Sequence, residues 1–195
     1  YPLRRQRQMC IRDRGPSYKG SAIALATSIA LWEEYGHDLL FEYDRKEAKT
    51  HGEATSSKGL FVNNTFFNGC RLFVVDDVAT SMGTKYDLME KVRTEAHSRG
   101  IDCRIMGIGI GIDREQTTAV YDSDGCVVLD RKGVNAIKEF VETSGVPVYS
   151  AAKIREVVGY LYEQGIPVMV KGKLALIDDE IKDNFDRYFD TYGIV

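Results

Sequence analysis

Residues 71–92, RLFVVDDVATSMGTKYDLMEKV, decide how this chain is read. Four apolar residues, Leu72 to Val75, run directly into Asp76 and Asp77, then into hydroxyls, a glycine and a helical pattern. The apolar run reads as a buried strand. Two carboxylates at its end carry a desolvation cost that strand formation does not offset. In an open parallel sheet, ligands bind beyond the carboxyl ends of the strands. The turn ATSMGT leads into a helix, so its backbone N–H groups and the helix dipole converge on one spot suited to a phosphate monoester. Thr80, Ser81 and Thr84 add hydroxyl donors. Paired carboxylates beside an anion site suit ribose hydroxyls or the water shell of a magnesium ion. A helix-capping role explains either aspartate alone, but not the pair followed by three hydroxyls and a glycine. The combination points to a phosphorylated ribose.

Outward from this stretch the chain alternates helix and strand. SAIALATSIALWEEYG reads as an apolar helix closed by Gly36, and LLFEY as a short strand. The helix after the aspartates carries apolar Leu88 and Val92 and closes at Gly100; DCRIMGIGIGI is the next strand. VYDSDGCVVLD reads as a hairpin around Asp124-Gly125. Then follow helix VNAIKEFVETSG, strand VPVYS, helix AAKIREVVGYLYEQG with Ser150 as its N-cap, hairpin IPVMVKGKLALI, and the amphipathic helix DDEIKDNFDRYFDTYG. Strands separated by helices imply an α/β fold with a mostly parallel central sheet flanked by helices.

Composition narrows the function. At 195 residues the chain suits one domain. A formal net charge of −3 gives no general attraction to nucleic acid or an anionic membrane. No apolar run approaches the ~18 residues of a membrane span. Cys10, Cys70, Cys103 and Cys126 show no CxxC spacing, which points away from zinc or a disulfide framework and toward a reducing, cytoplasmic setting. The arginine-rich YPLRRQRQMCIRDR has no amphipathic period. It looks like translated adaptor sequence, so residues 1–14 are set aside as a non-native leader and 15–195 are taken as the domain.

Two further stretches carry chemistry. Residues 44–59, DRKEAKTHGEATSSKG, have no apolar face and read as a long polar loop holding Arg45, Lys46, Lys49 and His51. A charge run is usually solvated surface, but a long, glycine-bounded, aperiodic loop also has the character of a lid. GIGIGIDRE has the wrong spacing for a dinucleotide fingerprint, with no helix opening after it. At period two, Gly107, Gly109 and Gly111 share a face left bare for close packing or a ligand. Arg114 after it offers a planar fork to a carboxylate or a carbonyl pair.

With these residues in view, VVDDVATSMGT resembles the diphosphoribosyl-binding motif of the type I phosphoribosyltransferases. One departure is Met82, where the family more often has glycine; a methionine fits the motif there if its backbone dihedrals suit a non-glycine residue and its side chain points outward. RKEAKTHGE matches the RKExKxHGE catalytic loop of the orotate phosphoribosyltransferases at every marked position. GPSYKG at 15–20 resembles that family's GPAYKG, and Asp113-Arg114-Glu115 its DRQE segment. The resemblance implies transfer of a phosphoribosyl group from phosphoribosyl diphosphate to orotate, with Mg2+, in pyrimidine synthesis. It implies that Tyr18, Lys19, Arg45, Lys46, Lys49 and His51 meet the diphosphate, and that Val78, Ala79, Thr80, Ser81, Met82, Gly83 and Thr84 cradle the 5-phosphate. Asp76 and Asp77 would take the ribose hydroxyls and, through water, the metal; Thr80 and Arg114 would take orotate. It further implies a homodimer whose loops act across the interface, and a fold here lacking most of the family's N-terminal hood. A phosphoribosyltransferase for another base, or a nucleotide-sensing regulator without catalysis, are the competing readings.

Overall fold

The computed structural model describes residues 8–12, 19–44, 60–124, 126, 128, 131–170 and 172–194. The chain forms two compact units. The first comprises Tyr1–Asp77, Gly83–Ile110 and Val146–Tyr149; the second comprises Val78–Met82, Gly111–Gly145 and Ser150–Val195.

The first unit holds most of a five-stranded sheet, and the last residues of β3, β4 and β5 are counted with the second. The strands are β1 (Gln8–Arg12), β2 (Leu40–Glu42), β3 (Cys70–Ala79), β4 (Cys103–Asp113) and β5 (Val148–Lys153), in the order β2-β1-β3-β4-β5. β1 is parallel to both neighbours, with Cys10 opposite Phe41 on one side and Phe73 on the other. Those five residues lie inside the stretch set aside as a leader, so the sheet does not start after Gly15. The reason is backbone chemistry: the slot between β2 and β3 needs N–H and C=O partners on both sides, whatever the side chains.

Period two on β3 sorts its side chains. Leu72, Val74 and Asp76 share one buried face, while Phe73, Val75 and Asp77 share the other. Helix α1 (Lys19–Tyr35) covers the second face, where Ala24 and Val75 form a core with Ile23, Leu39, Phe41 and Phe73. Helix α2 (Gly83–Arg99) buries Lys85, Leu88, Val92, Glu95 and Ala96, a single stripe at helical spacing. The bare glycine face of β4 is used for close packing. A methyl added at Gly107 would lie 2.9 Å from Phe73 Cε2, and one at Gly109 3.0 Å from Phe73 Cε1. Phe73 in turn stacks on Tyr149 at 6.4 Å between centroids.

β3 and β4 also bring two of the scattered cysteines together. Cys70 and Cys103 are free thiols with sulfurs 2.8 Å apart. Burial, with the Cys70 contact and the Asp102 charge adding to it, pushes the Cys103 thiol from 9.0 up to about 12. Cys103 therefore stays a thiol rather than a thiolate near neutral pH.

The second unit contains α3 (Ala136–Ser144), α4 (Ile154–Glu163), the antiparallel hairpin β6 (Val168–Val170) and β7 (Lys173–Ala175), and α5 (Asp179–Tyr192). Two of its helices are capped as their sequences suggest. Asn135 accepts from Lys138 N, with Gly145 closing α3 at φ 70°, and Asp178 accepts from Ile181 N. The expected Ser150 cap is not formed, because β5 continues extended to Lys153 and α4 starts only at Ile154. In the expected hairpin, Val128 N donates to Val120 O at 2.8 Å and Asp122 N to Cys126 O at 2.9 Å, while Gly125 of its turn lies outside the described residues. Gly133 is required where it stands, since a methyl there would be 2.1 Å from Thr118 O.

Candidate active site

β3 carries the aspartate pair inside the strand, which runs on to Ala79 rather than ending before them. Alternation then gives the two acids different surroundings. Asp76 falls on the face with Leu72 and Val74 and is buried; Asp77 is half-buried on the opposite face. A buried carboxylate needs compensation, and α2 supplies it. Lys85 Nζ lies 2.5 Å from Asp76 Oδ2 and 3.3 Å from Thr84 Oγ1, while Asp76 Oδ1 accepts from Asp77 N at 2.9 Å. Both oxygens of Asp76 are therefore engaged. An ammonium stands where the sequence reading places a water-bound magnesium, and it would repel a second cation there. Among the described residues, no three His, Cys, Asp or Glu side chains gather to bind a metal directly.

Sequence reasoning missed Lys85, although the signal was present. The stripe through Leu88 and Val92 extends backward by three residues to Lys85 and forward by three to Glu95. A charge on a core-facing stripe marks a buried partner.

In the second unit, Val78 and Ala79 end β3, and Thr80, Ser81 and Met82 form the turn after it. Thr80 and Ser81 are exposed, whereas Met82 is 2% exposed with φ 60°. The orientation that the sequence leaves open for Met82 is thereby answered: it does not point outward. Its backbone is left-handed and its side chain is enclosed. Arg114 N donates to Ala79 O at 3.4 Å, which brings the Asp113-Arg114-Glu115 turn against this loop. That turn is held by Asp113 Oδ1 accepting from Glu115 N at 2.7 Å and by Glu115, at φ 50°, accepting from Arg155 N at 3.1 Å. Arg114 is exposed and pairs with no carboxylate among the described residues. Thr80 and Ser81 line a cavity of about 290 Å³ with Gln116, Arg131, Tyr188 and Tyr192 on its other walls. Arg131 is its one charged lining group among the described residues.

Gly83 opens α2, and Thr84 follows, exposed. Tyr18, Arg45, Lys46, Lys49 and His51 lie outside the described residues, and Lys19 is described only as the first residue of α1. The chain on either side of 45–59 is firmly held. Asp44 and Phe61 form an antiparallel bridge, with Val62 N donating to Tyr43 O at 3.0 Å. Glu42, fully buried, accepts from Asn63 N at 2.7 Å, Thr65 N at 2.9 Å and Thr65 Oγ1 at 2.9 Å. Asp44 pairs with Lys91 of α2. Glu95 accepts from Leu60 N at 3.2 Å and from Arg99 Nε at 2.7 Å.

The parallel sheet flanked by helices is that of the type I phosphoribosyltransferases. It superposes on an orotate phosphoribosyltransferase from Francisella tularensis with a TM-score of 0.59 at 22% identity, over 95% of this chain and 70% of that one. It also superposes on the UMP synthase of Leishmania donovani, with a TM-score of 0.56 at 14% identity over 94% of this chain and 29% of that one. No protein-family model matches the chain. Among curated relatives, it is 32% identical to the orotate phosphoribosyltransferase of Agathobacter rectalis over 179 residues, 92% of this chain and 69% of that protein. It is 32% identical to that of Cellvibrio japonicus over 180 residues, 92% of this chain and 67% of the relative. The chain belongs to the orotate phosphoribosyltransferase family.

Proposed function

We propose that this chain transfers the 5-phosphoribosyl group of phosphoribosyl diphosphate to orotate, forming orotidine 5′-monophosphate and pyrophosphate in pyrimidine synthesis. Family membership carries the reading, and the aspartate pair on β3 with the hydroxyl turn after it supports it. In this reading Thr80 to Thr84 hold the 5-phosphate and Asp77 receives the ribose hydroxyls. Arg114 and Thr80 orient the base so that its ring nitrogen faces the anomeric carbon. As the bond from that carbon to the diphosphate oxygen breaks, positive charge develops on the ribose and negative charge on the leaving group. Tyr18, Lys19, Arg45, Lys46, Lys49 and His51 stabilise that leaving group and exclude water that would otherwise capture the sugar. Asp77 would hold a magnesium ion through its water shell, and the ion would supply further neutralisation of the leaving group. The functional unit is a homodimer in which loop cations act on the neighbouring subunit's site.

The test is orotate-dependent pyrophosphate release, with a panel of other bases as the comparison. Lys46→Ala and Asp77→Asn are each expected to lower kcat by roughly 10²–10³-fold, the magnitude typical of losing one preorganised transition-state donor. Turnover with another base and none with orotate would reassign the acceptor. Tight binding of phosphoribosyl diphosphate without turnover on any base would favour the regulator reading.

A further inference from the structure

We propose that Lys85 is a positioning residue of this site: a built-in counter-cation that neutralises Asp76 and, through it, holds the Asp77 amide in place beside the ligand. The inference rests on the proposed function and assigns a part to a residue that none of the motifs contains. Its basis is geometric. The Lys85 and Asp76 side chains are 4% and 7% exposed, with Nζ 2.5 Å from Oδ2. The second oxygen of Asp76 takes the Asp77 amide, so the inner acid has a donor on each oxygen. Lys85 sits in the first turn of α2, directly after Gly83 and Thr84.

The consequence concerns charge. Two uncompensated carboxylates would repel an anionic phosphoribosyl diphosphate; an internal ammonium on Asp76 removes the contribution of that acid. The pair also fixes the side chain of Asp76 against α2, so the amide it accepts, that of Asp77, is held in place. A cation supplied by the protein takes over part of what a metal ion would do at the strand end. The site then tolerates the metal-free ligand better than a bare aspartate pair would.

Calorimetric binding of phosphoribosyl diphosphate, with saturating magnesium and with a chelator, tests this. Lys85→Met is expected to weaken metal-free binding roughly tenfold, and magnesium-loaded binding by clearly less, because the ion restores the lost positive charge. Asp76→Asn/Lys85→Met, which retains no buried charge, is expected to return metal-free binding to within about threefold of the parent. Equal losses with and without magnesium would reduce Lys85 to a folding role and overturn the inference. So would a double variant as weak as the single one, since the Asp76 carboxylate would then be needed by the ligand itself. If Lys85→Met does not fold, the double variant decides by the same threefold and tenfold limits. A parent protein that binds no phosphoribosyl diphosphate in either buffer overturns the proposed function and this inference together. A parent that binds while the variants leave the magnesium dependence unchanged overturns this inference alone.

Discussion

Met82 shows how a single residue can sit against its local preference. A left-handed backbone costs a non-glycine residue roughly 1–2 kcal/mol, yet Met82 has φ 60° and only 2% exposure. Enclosure of the thioether chain offsets that cost, since burying a methionine side chain is worth about 1.5–3 kcal/mol. The two terms can be separated by substitution. Met82→Ala keeps the strain and loses the packing, so it should destabilise the protein by about 2–5 kcal/mol in chemical denaturation. Met82→Gly loses the same packing but releases the strain. It should be more stable than the alanine variant by about 1 kcal/mol, the reverse of the order seen in a helix. An alanine variant at least as stable as the glycine one would mean the left-handed conformation is not what the position demands.

At the scale of elements, α2 organises more than its apolar positions suggest. Leu88 and Val92 pack as the sequence pattern predicts, while Lys85, Lys91 and Glu95 tie the helix to Asp76, Asp44 and Leu60. One helix thus holds the strand-end acid and both chain segments that flank residues 45–59. β2 complements it through Glu42, whose buried carboxylate accepts from the backbone at Asn63 and Thr65. Removing that carboxylate would strand several buried donors, each at about 1–3 kcal/mol. Glu42→Ala is therefore expected to cost at least ~3 kcal/mol in denaturant unfolding, with Glu42→Gln costing less because one acceptor oxygen survives. A loss below 1 kcal/mol for the alanine variant would show that these donors find water instead.

For the whole molecule, the proposed homodimer has a surface to which it can be referred. Leu25, Ile29 and Trp32 recur at helical spacing along one side of α1 and are exposed, Trp32 by 58%. A helix burying Ala24 on one side and presenting this stripe on the other is apolar nearly all round, as expected of a helix covered on both sides. Sedimentation equilibrium should give a dimer. Trp32→Glu should raise its dissociation constant more than tenfold, because aromatic anchors at interface centres are worth at least ~2 kcal/mol. A parent protein that stays monomeric at all concentrations would remove both the dimer and the cross-subunit role of the loop. No helix among the described residues is long and apolar enough to cross a membrane.

Sequence by itself determined the alternation of helix and strand, the position of the aspartate pair and the family resemblance. These depend on period, turn residues and short motifs, all local properties of the chain. Tertiary structure alone decided what each of those residues faces. The two aspartates are adjacent and chemically identical, yet the pleat sends Asp76 inward to Lys85 and Asp77 to the other side. Motif reading treated the pair as one unit because a regular expression carries no face. The same holds for β1, whose place between β2 and β3 is set by backbone ladders that no side-chain pattern announces. It holds as well for Ser150, a good cap by composition that the extension of β5 leaves inside a strand. Local propensity names the elements, but which partner each charge finds is a matter of long-range packing, and only the placement of α2 beside β3 gives Lys85 its partner Asp76.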